Sequence, residues 1–189
     1  MEFPMLIEFK VKNFRSFRDE VVFSMVAGPD KTLPDHATTI PTFGDRRLLH
    51  SAVIYGPNAS GKSTLMKAIE FVNYFIKKSM DRELNTPIEV QPFLLANESS
   101  GAPCEFEITY LDSEGVRYQY GFHVTTQQVV REWLIVYPKG LPQTWLEREY
   151  LGAESAPHWY FGRNLKGKNN QIAELTRPDV LFLSNAVKI

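Results

Sequence analysis

Cysteine is nearly missing from this chain. Cys104 is the single one among 189 residues, which excludes an internal disulfide; the four scattered histidines add no tetrahedral zinc spacing. An excess of either charge is missing too. Lys plus Arg number 21 against 22 for Asp plus Glu, a net charge of −1, so no global field draws in nucleic acid or an anionic membrane. Any DNA contact has to come from a local patch. No run of about 18 apolar residues occurs, and the start Met1-Glu2-Phe3-Pro4-Met5-Leu6-Ile7-Glu8 carries an acid where a signal peptide is basic. These absences point away from a membrane span, an exported disulfide scaffold and a zinc module, and toward a soluble, cytoplasmic protein. With 43% hydrophobic and 23% charged residues, the composition is that of one globular domain or a piece of a larger one. Neither an internal repeat nor a low-complexity tract is present.

Hydrophobic periodicity organises the rest. Ile7, Phe9 and Val11 share one face of a strand, as do Val21, Phe23 and Met25, with the polar and aromatic connection Asn13-Phe14-Arg15-Ser16-Phe17 between them. Three prolines, two glycines and no sustained period make Gly28 to Arg47 a long surface loop. Leu48 to Tyr55 then reads as a buried strand. Leu65, Ala68, Ile69, Val72, Phe75 and Ile76 recur at three- and four-residue intervals, predicting a helix from about Lys62 to Lys78 with lysines at the negative end of its dipole. Beyond it the period changes from helical to two. Alternation over Phe106 to Tyr110, Val116 to Val124 and Val129 to Tyr137, then Trp145 and His158 to Phe161, predicts an antiparallel meander punctuated by turns such as Asp112-Ser113-Glu114-Gly115. The alternation makes Tyr118, Tyr120 and Phe122 a packed core face in preference to a base-stacking surface.

Between the predicted strand and helix lies Gly56-Pro57-Asn58-Ala59-Ser60-Gly61-Lys62-Ser63-Thr64. The pattern Gly-x-x-x-x-Gly-Lys-Ser arises by chance in a chain this long on the order of once in a hundred, and strand before, helix after is the context it needs. Each residue has a physical reason. Gly56 and Gly61 permit backbone angles that let successive N–H groups curl around phosphate oxygens at a helix N-terminus. Lys62 is placed to reach the β- and γ-phosphates, and the Ser63 hydroxyl to bind magnesium. ATP with Mg2+ is therefore the expected ligand, held by all nine residues.

The order strand, Asn-Phe-Arg-Ser-Phe, strand, then Gly-Pro-Asn-Ala-Ser-Gly-Lys-Ser-Thr resembles the first lobe of the ABC-type ATPase heads of SMC, RecF and OLD proteins. More narrowly it is similar to the AAA family 15 ATPases, many of them from bacterial anti-phage defence systems. Arg131-Glu132-Trp133 and the run from Leu175 to Ser184 carry the likeness over nearly the whole chain. The resemblance implies an α/β P-loop NTPase fold: an ABC-type N-terminal lobe with an antiparallel β-meander inserted after the P-loop helix. Its divisions are a P-loop core at 5–80, a β subdomain at 86–162, and from 163 to 189 the start of a connection to a C-terminal lobe. It implies that Arg15 and Ser16 lie against the nucleotide and that Gln91 is the Q-loop glutamine at the magnesium shell. The alternative that composition leaves open for Arg15 and Ser16 is a solvated turn between two strands, and for Gln91 a surface glutamine before a proline. The partners it implies are a second copy of the chain across an ATP sandwich, DNA, and a nuclease effector subunit, in phage defence or DNA repair.

Two parts of such heads are not visible. An apolar strand ending in Asp then Glu is needed to orient magnesium and activate water; the nearest text, Ile108 to Gly115, reads as a hairpin turn. Leu183-Ser184-Asn185-Ala186 lacks the glycines of a signature motif. In the family both follow in a C-terminal lobe, so the expectation is an N-terminal fragment with no catalytic residue of its own, binding ATP with little turnover. Two alternatives remain open: a small P-loop kinase and a non-catalytic scaffold that uses nucleotide to hold an interface. Against the kinase, two strands and a long loop precede the P-loop and no Arg-rich lid follows. Arg163 to Asn170 is a basic stretch that reads as solvated, with a DNA backbone as the alternative partner.

Overall fold

The fold is described from a computed structural model for residues 4–150 and 156–188; the acidic start at Glu2 and the terminal Ile189 lie outside the described residues. Five strands of the predicted meander form: β5 (Cys104–Leu111), β6 (Arg117–Val124), β7 (Val129–Tyr137), β8 (Gln143–Glu149) and β9 (His158–Phe161). They extend the hairpin of β1 (Met5–Lys12) and β2 (Val21–Ser24) into one seven-stranded sheet of order β2-β1-β5-β6-β7-β8-β9, antiparallel at every pairing. Because β1 pairs directly with β5, strands drawn from 5–80 and from 86–162 share a single sheet. The predicted turn at Asp112 is in place, its carboxylate accepting hydrogen bonds from the Glu114 and Val116 amides.

Alternation divides the sheet into two faces. One carries Phe9, Val11, Phe106, Tyr120 and Phe122, all at most 3% exposed, and against it packs α1 (Lys62–Lys78) through Leu65, Ala68, Val72 and Phe75. This helix has the predicted bounds. The opposite face carries cross-strand ion pairs, Lys10–Glu107, Lys12–Glu105 and Arg131–Glu147, with N–O distances of 2.8 to 3.0 Å. Such half-exposed pairs contribute about 0–1 kcal/mol each, so the apolar face carries the stability.

Two expectations are corrected. Within the predicted loop from Gly28 to Arg47, β3 (Ala37–Ile40) pairs antiparallel with β4 (Arg46–Leu49) around Gly44 at φ 64°. Four-residue strands hold too few alternations to register in a sequence pattern. The predicted buried strand from Leu48 to Tyr55 ends at Leu49; Val53, Ile54 and Tyr55 are 85%, 41% and 89% exposed. An apolar run becomes a strand only when a neighbour takes its backbone groups. Among the described residues, no strand pairs with 51–56.

The C-terminal segment closes over the end of the sheet. After β9, α3 (Asn169–Leu175) and α4 (Phe182–Ala186) follow α2 (Asn97–Ser100), a single turn earlier in the chain. Glu132 and Arg148, both fully buried and 3.9 Å apart, fasten this segment. Glu132 accepts hydrogen bonds from the Tyr120 hydroxyl and from the amides of Phe182 and Leu183 at the start of α4. Arg148 donates to the carbonyls of Val180, Arg177 and Pro178. Burial pushes the Glu132 carboxyl above its usual value, against the opposing pull of Arg148 and the three donors. Among the described residues no helix is long and apolar enough to cross a membrane.

Arg148→Leu, which strands Glu132 without its counter-ion, is expected to destabilise the fold by about 3–5 kcal/mol; urea denaturation measures it, and a loss under 1 kcal/mol would contradict the fastening role. Burial pushes the Cys104 thiol from 9.0 up to about 12. The unfolded thiol ionises first, so this residue withdraws stability as pH rises from 9.0 toward 12. At neutral pH an iodoacetamide probe should label Cys104 only at the rate of unfolding.

Candidate nucleotide-binding site

The site begins at the N-terminus of α1. This 17-residue helix starts after Gly61, which adopts φ 93°, and neither a capping side chain nor an acidic residue occupies its first turn. Its first amides and the positive end of its dipole therefore face outward over the Gly56 to Gly61 loop. Ala59 also takes a left-handed conformation, φ 63°, which costs a residue with a Cβ of order 1 kcal/mol or more. Strain of this kind concentrates at ligand-binding loops. The Lys62 ammonium reaches back along the loop, donating to the carbonyls of Gly56 and Pro57 at 2.7 Å each. An anion entering the loop meets a cation already inside it.

The turn between β1 and β2 supplies the second wall. Phe17 lies on Gly61 so closely that a Cβ there would stand 2.6 Å from the ring. Ser16 and Thr64 share a hydrogen bond of 2.7 Å between their hydroxyls. The exposed Arg15 donates its backbone N–H to the Gln91 carbonyl at 2.8 Å. Around these contacts opens a cavity of about 460 Å³ lined by Arg15, Ser16, Ser63, Thr64, Lys67 and Gln91, and by Pro92 to Leu95. The structure thus brings together Arg15, Ser16, Ser63, Thr64 and Gln91. Gly56 to Ser60 form the adjoining loop.

Several participants were not legible in the sequence. Lys67, one turn along α1, adds a second cation to the cavity beside Arg15; spacing from Ser63 by four residues is the signal that places it on the same helix face. Phe17 reads as one more aromatic until its ring is found on Gly61. Asn13 takes φ 53° and is buried, and asparagine is among the few side chains that occupy that region readily. The remaining sequence candidates lie elsewhere. Asp112 is spent on its turn, Arg163 to Lys168 lie in an exposed loop ahead of α3, and Leu183 to Ala186 lie within α4. Tyr120 and Phe122 are core, as expected, whereas Tyr118, on the same face, is only half-buried and stacks on Tyr110. Among the described residues no cluster of three His, Cys, Asp or Glu side chains could hold a metal ion.

The chemistry of this donor set suits a nucleotide triphosphate with magnesium. Outward-facing helix amides and a lysine suit phosphate oxygens, and an exposed Ser63 hydroxyl suits a hard, oxygen-seeking cation. Gly61 has no room for a side chain. Gly61→Ala is expected to cost roughly 1–3 kcal/mol of stability and to remove binding of a fluorescent ATP analogue, with Gly101→Ala, where a Cβ meets nothing within 4 Å, as the neutral control. Equal binding by Gly61→Ala would show that the loop is not shaped around that glycine.

Comparison with known proteins is consistent with this donor set. A family model described as "AAA domain, putative AbiEii toxin, Type IV TA system" matches residues 51–171, more than half of the chain, from just before the P-loop through α1, the meander and the start of α3. No curated protein and no solved structure matches the chain significantly. Domains of this kind are P-loop ATPases, and ATP with Mg2+ is their general ligand. The uncapped helix, the Gly56 to Thr64 loop and the antiparallel sheet beneath it are thus those of an AAA domain of the AbiEii toxin type, the family to which this chain belongs.

Proposed function

We propose that this chain is the ATP-binding part of an ATPase in which Gly56 to Thr64 hold the phosphates, Lys62 reaches the β- and γ-phosphates, and the Ser63 hydroxyl takes one position of the magnesium shell. The observation that carries the reading is the uncapped N-terminus of α1 with Lys62 folded into the loop it serves. Arg15, Ser16 and Lys67 add charge and hydroxyl donors to the cavity, and Gln91 lines it together with Ser63. Bound magnesium would neutralise phosphate charge. The protein's own groups bind, orient and screen.

Hydrolysis asks for more than binding. A carboxylate is needed to position the attacking water, yet the cavity is lined by cations, hydroxyls, an amide and apolar groups, with no acid among them. The proposed site is therefore half of a composite one, which fits the resemblance to ABC-type heads that close as dimers around two ATP molecules. On that reading the partners are a second copy of this chain, with DNA or a nuclease subunit as the target, in phage defence or DNA repair.

Titration with a fluorescent ATP analogue should give saturable, magnesium-dependent binding. Lys62→Ala should weaken it roughly 10- to 100-fold, the value of a charge-assisted hydrogen bond of about 1.5–3 kcal/mol. ATP turnover by the chain alone should be slow beside the ~10 s⁻¹ typical of enzymes. Rapid phosphoryl transfer to a small molecule would favour a kinase instead, and undiminished binding by Lys62→Ala would remove the P-loop from the account.

A further inference from the structure

Asn13 makes more hydrogen bonds through its side chain than a turn residue needs. Its amide nitrogen donates to the carbonyls of Ser99, Ala102 and Pro103 at 2.8, 2.9 and 3.1 Å, and its amide oxygen accepts the Phe93 N–H at 3.1 Å. The residue is 4% exposed and sits at φ 53°. Few side chains meet these demands together. Aspartate cannot donate to three carbonyls, and glycine accepts the backbone angle but makes none of the bonds. The turn that follows is closed on itself by paired backbone bonds between Phe14 and Phe17, at 2.8 and 2.9 Å, and Arg15 takes a second left-handed conformation, φ 52°.

This turn touches both halves of the cavity. On one side Ser16 bonds Thr64 and Phe17 covers Gly61. On the other side Arg15 N–H holds the Gln91 carbonyl and Asn13 holds the Phe93 amide. Gln91 to Phe93 belong to no helix or strand. Among the described residues, the two hydrogen bonds that tie this segment to the rest of the chain both end on the β1–β2 turn. Gln91 follows the buried Val90, and beyond that anchor its segment is held against the turn by the Arg15 bond to Gln91 and the Asn13 bond to Phe93.

We propose that Asn13 is a positioning residue of the nucleotide site: through its bond to the Phe93 amide it ties the segment that begins at Gln91 to the β1–β2 turn, in the cavity lining that Gln91 shares with Ser63, and so governs how strongly magnesium enhances nucleotide binding. The inference rests on the ATP-binding function proposed above. Asn13 touches neither phosphate nor metal. It acts through Gln91, as outer-shell partners of metal sites do.

The test measures the affinity of a fluorescent ATP analogue, with and without magnesium, for the unaltered chain, Asn13→Gly, Gln91→Ala and the double variant. Asn13→Gly keeps the backbone angle accessible and removes only the side-chain bonds. It should lose magnesium enhancement by roughly 10-fold, the scale of outer-shell substitutions, as should Gln91→Ala, while binding by Asn13→Gly without magnesium stays within about twofold, inside the coupling error of independent sites. The double variant should lose no more than either single one. Losses that multiply, full enhancement in Asn13→Gly, or a parallel fall in metal-free binding would each overturn the proposal. An unaltered chain that binds no nucleotide would instead overturn the function on which it rests. Amide exchange in the unaltered chain supplies a reading independent of whether Asn13→Gly folds: the Arg15 and Phe93 amides should slow together on adding ATP with magnesium and less with ATP alone. Exchange at those two amides that ignores magnesium would sink the idea.

Discussion

The packing of α1 on the sheet through phenylalanine is the constraint on which the rest depends. Phe71 and Phe75 of the helix stack on each other with ring centroids 5.4 Å apart, and reach Phe106 at 5.1 Å and Phe122 at 5.5 Å. Phe14, from the β1–β2 turn, meets Phe106 edge to face at 5.3 Å and Phe71 at 6.1 Å. Five rings from four segments thus share one cluster. Each buried aromatic carries a few kcal/mol of apolar area, with about 0.5–1.5 kcal/mol more for a well-oriented pair. The site inherits its geometry from this cluster, because the same helix carries Ser63, Thr64 and Lys67 and the same turn carries Arg15, Ser16 and Phe17.

A second fastening works at the other end of the sheet with opposite chemistry. Glu132 and Arg148 are buried charges whose desolvation is offset only because nearly every polar atom finds a partner. The exception is Arg148 Nε, in a guanidinium that lies 5.0 Å over the Trp159 ring and 5.2 Å over Tyr150. The carbonyls and amides they engage belong to residues 177 to 183, and from there Leu181 N–H donates to the Ser79 hydroxyl at the end of α1. The P-loop helix is thus held at its start by the β1–β2 turn and at its end by the C-terminal segment. Its exposed side, with Met66 and Tyr74 about half exposed, lies away from both.

Local pattern made much of the fold readable. The helix from Lys62 to Lys78 and the strands from β5 to β7 announce themselves because side chains three or four apart share a helix face, and side chains two apart share a strand face. The same local logic failed at Leu48 to Tyr55. Hydrophobicity says that a segment would be buried given a neighbour, and no strand neighbours Val53 to Tyr55 among the described residues. It failed differently at Ala37 to Leu49, where the hairpin is too short for its period to stand out from the prolines and glycines around it.

The candidate site divides along the same line. The Gly56 to Thr64 loop and its helix were determined by the sequence alone, since a glycine at each end of the loop, a lysine and a hydroxyl at fixed spacing are a local chemical statement. That Gln91 lines a cavity with Ser63, that Phe17 closes over Gly61, and that Asn13 bonds the segment after Gln91 were decided only by the tertiary structure. The Asn13 oxygen meets an amide 80 positions away, and Ser16 meets Thr64 48 positions away. Bonds of that range follow from which strands lie side by side, and a spacing rule cannot express them.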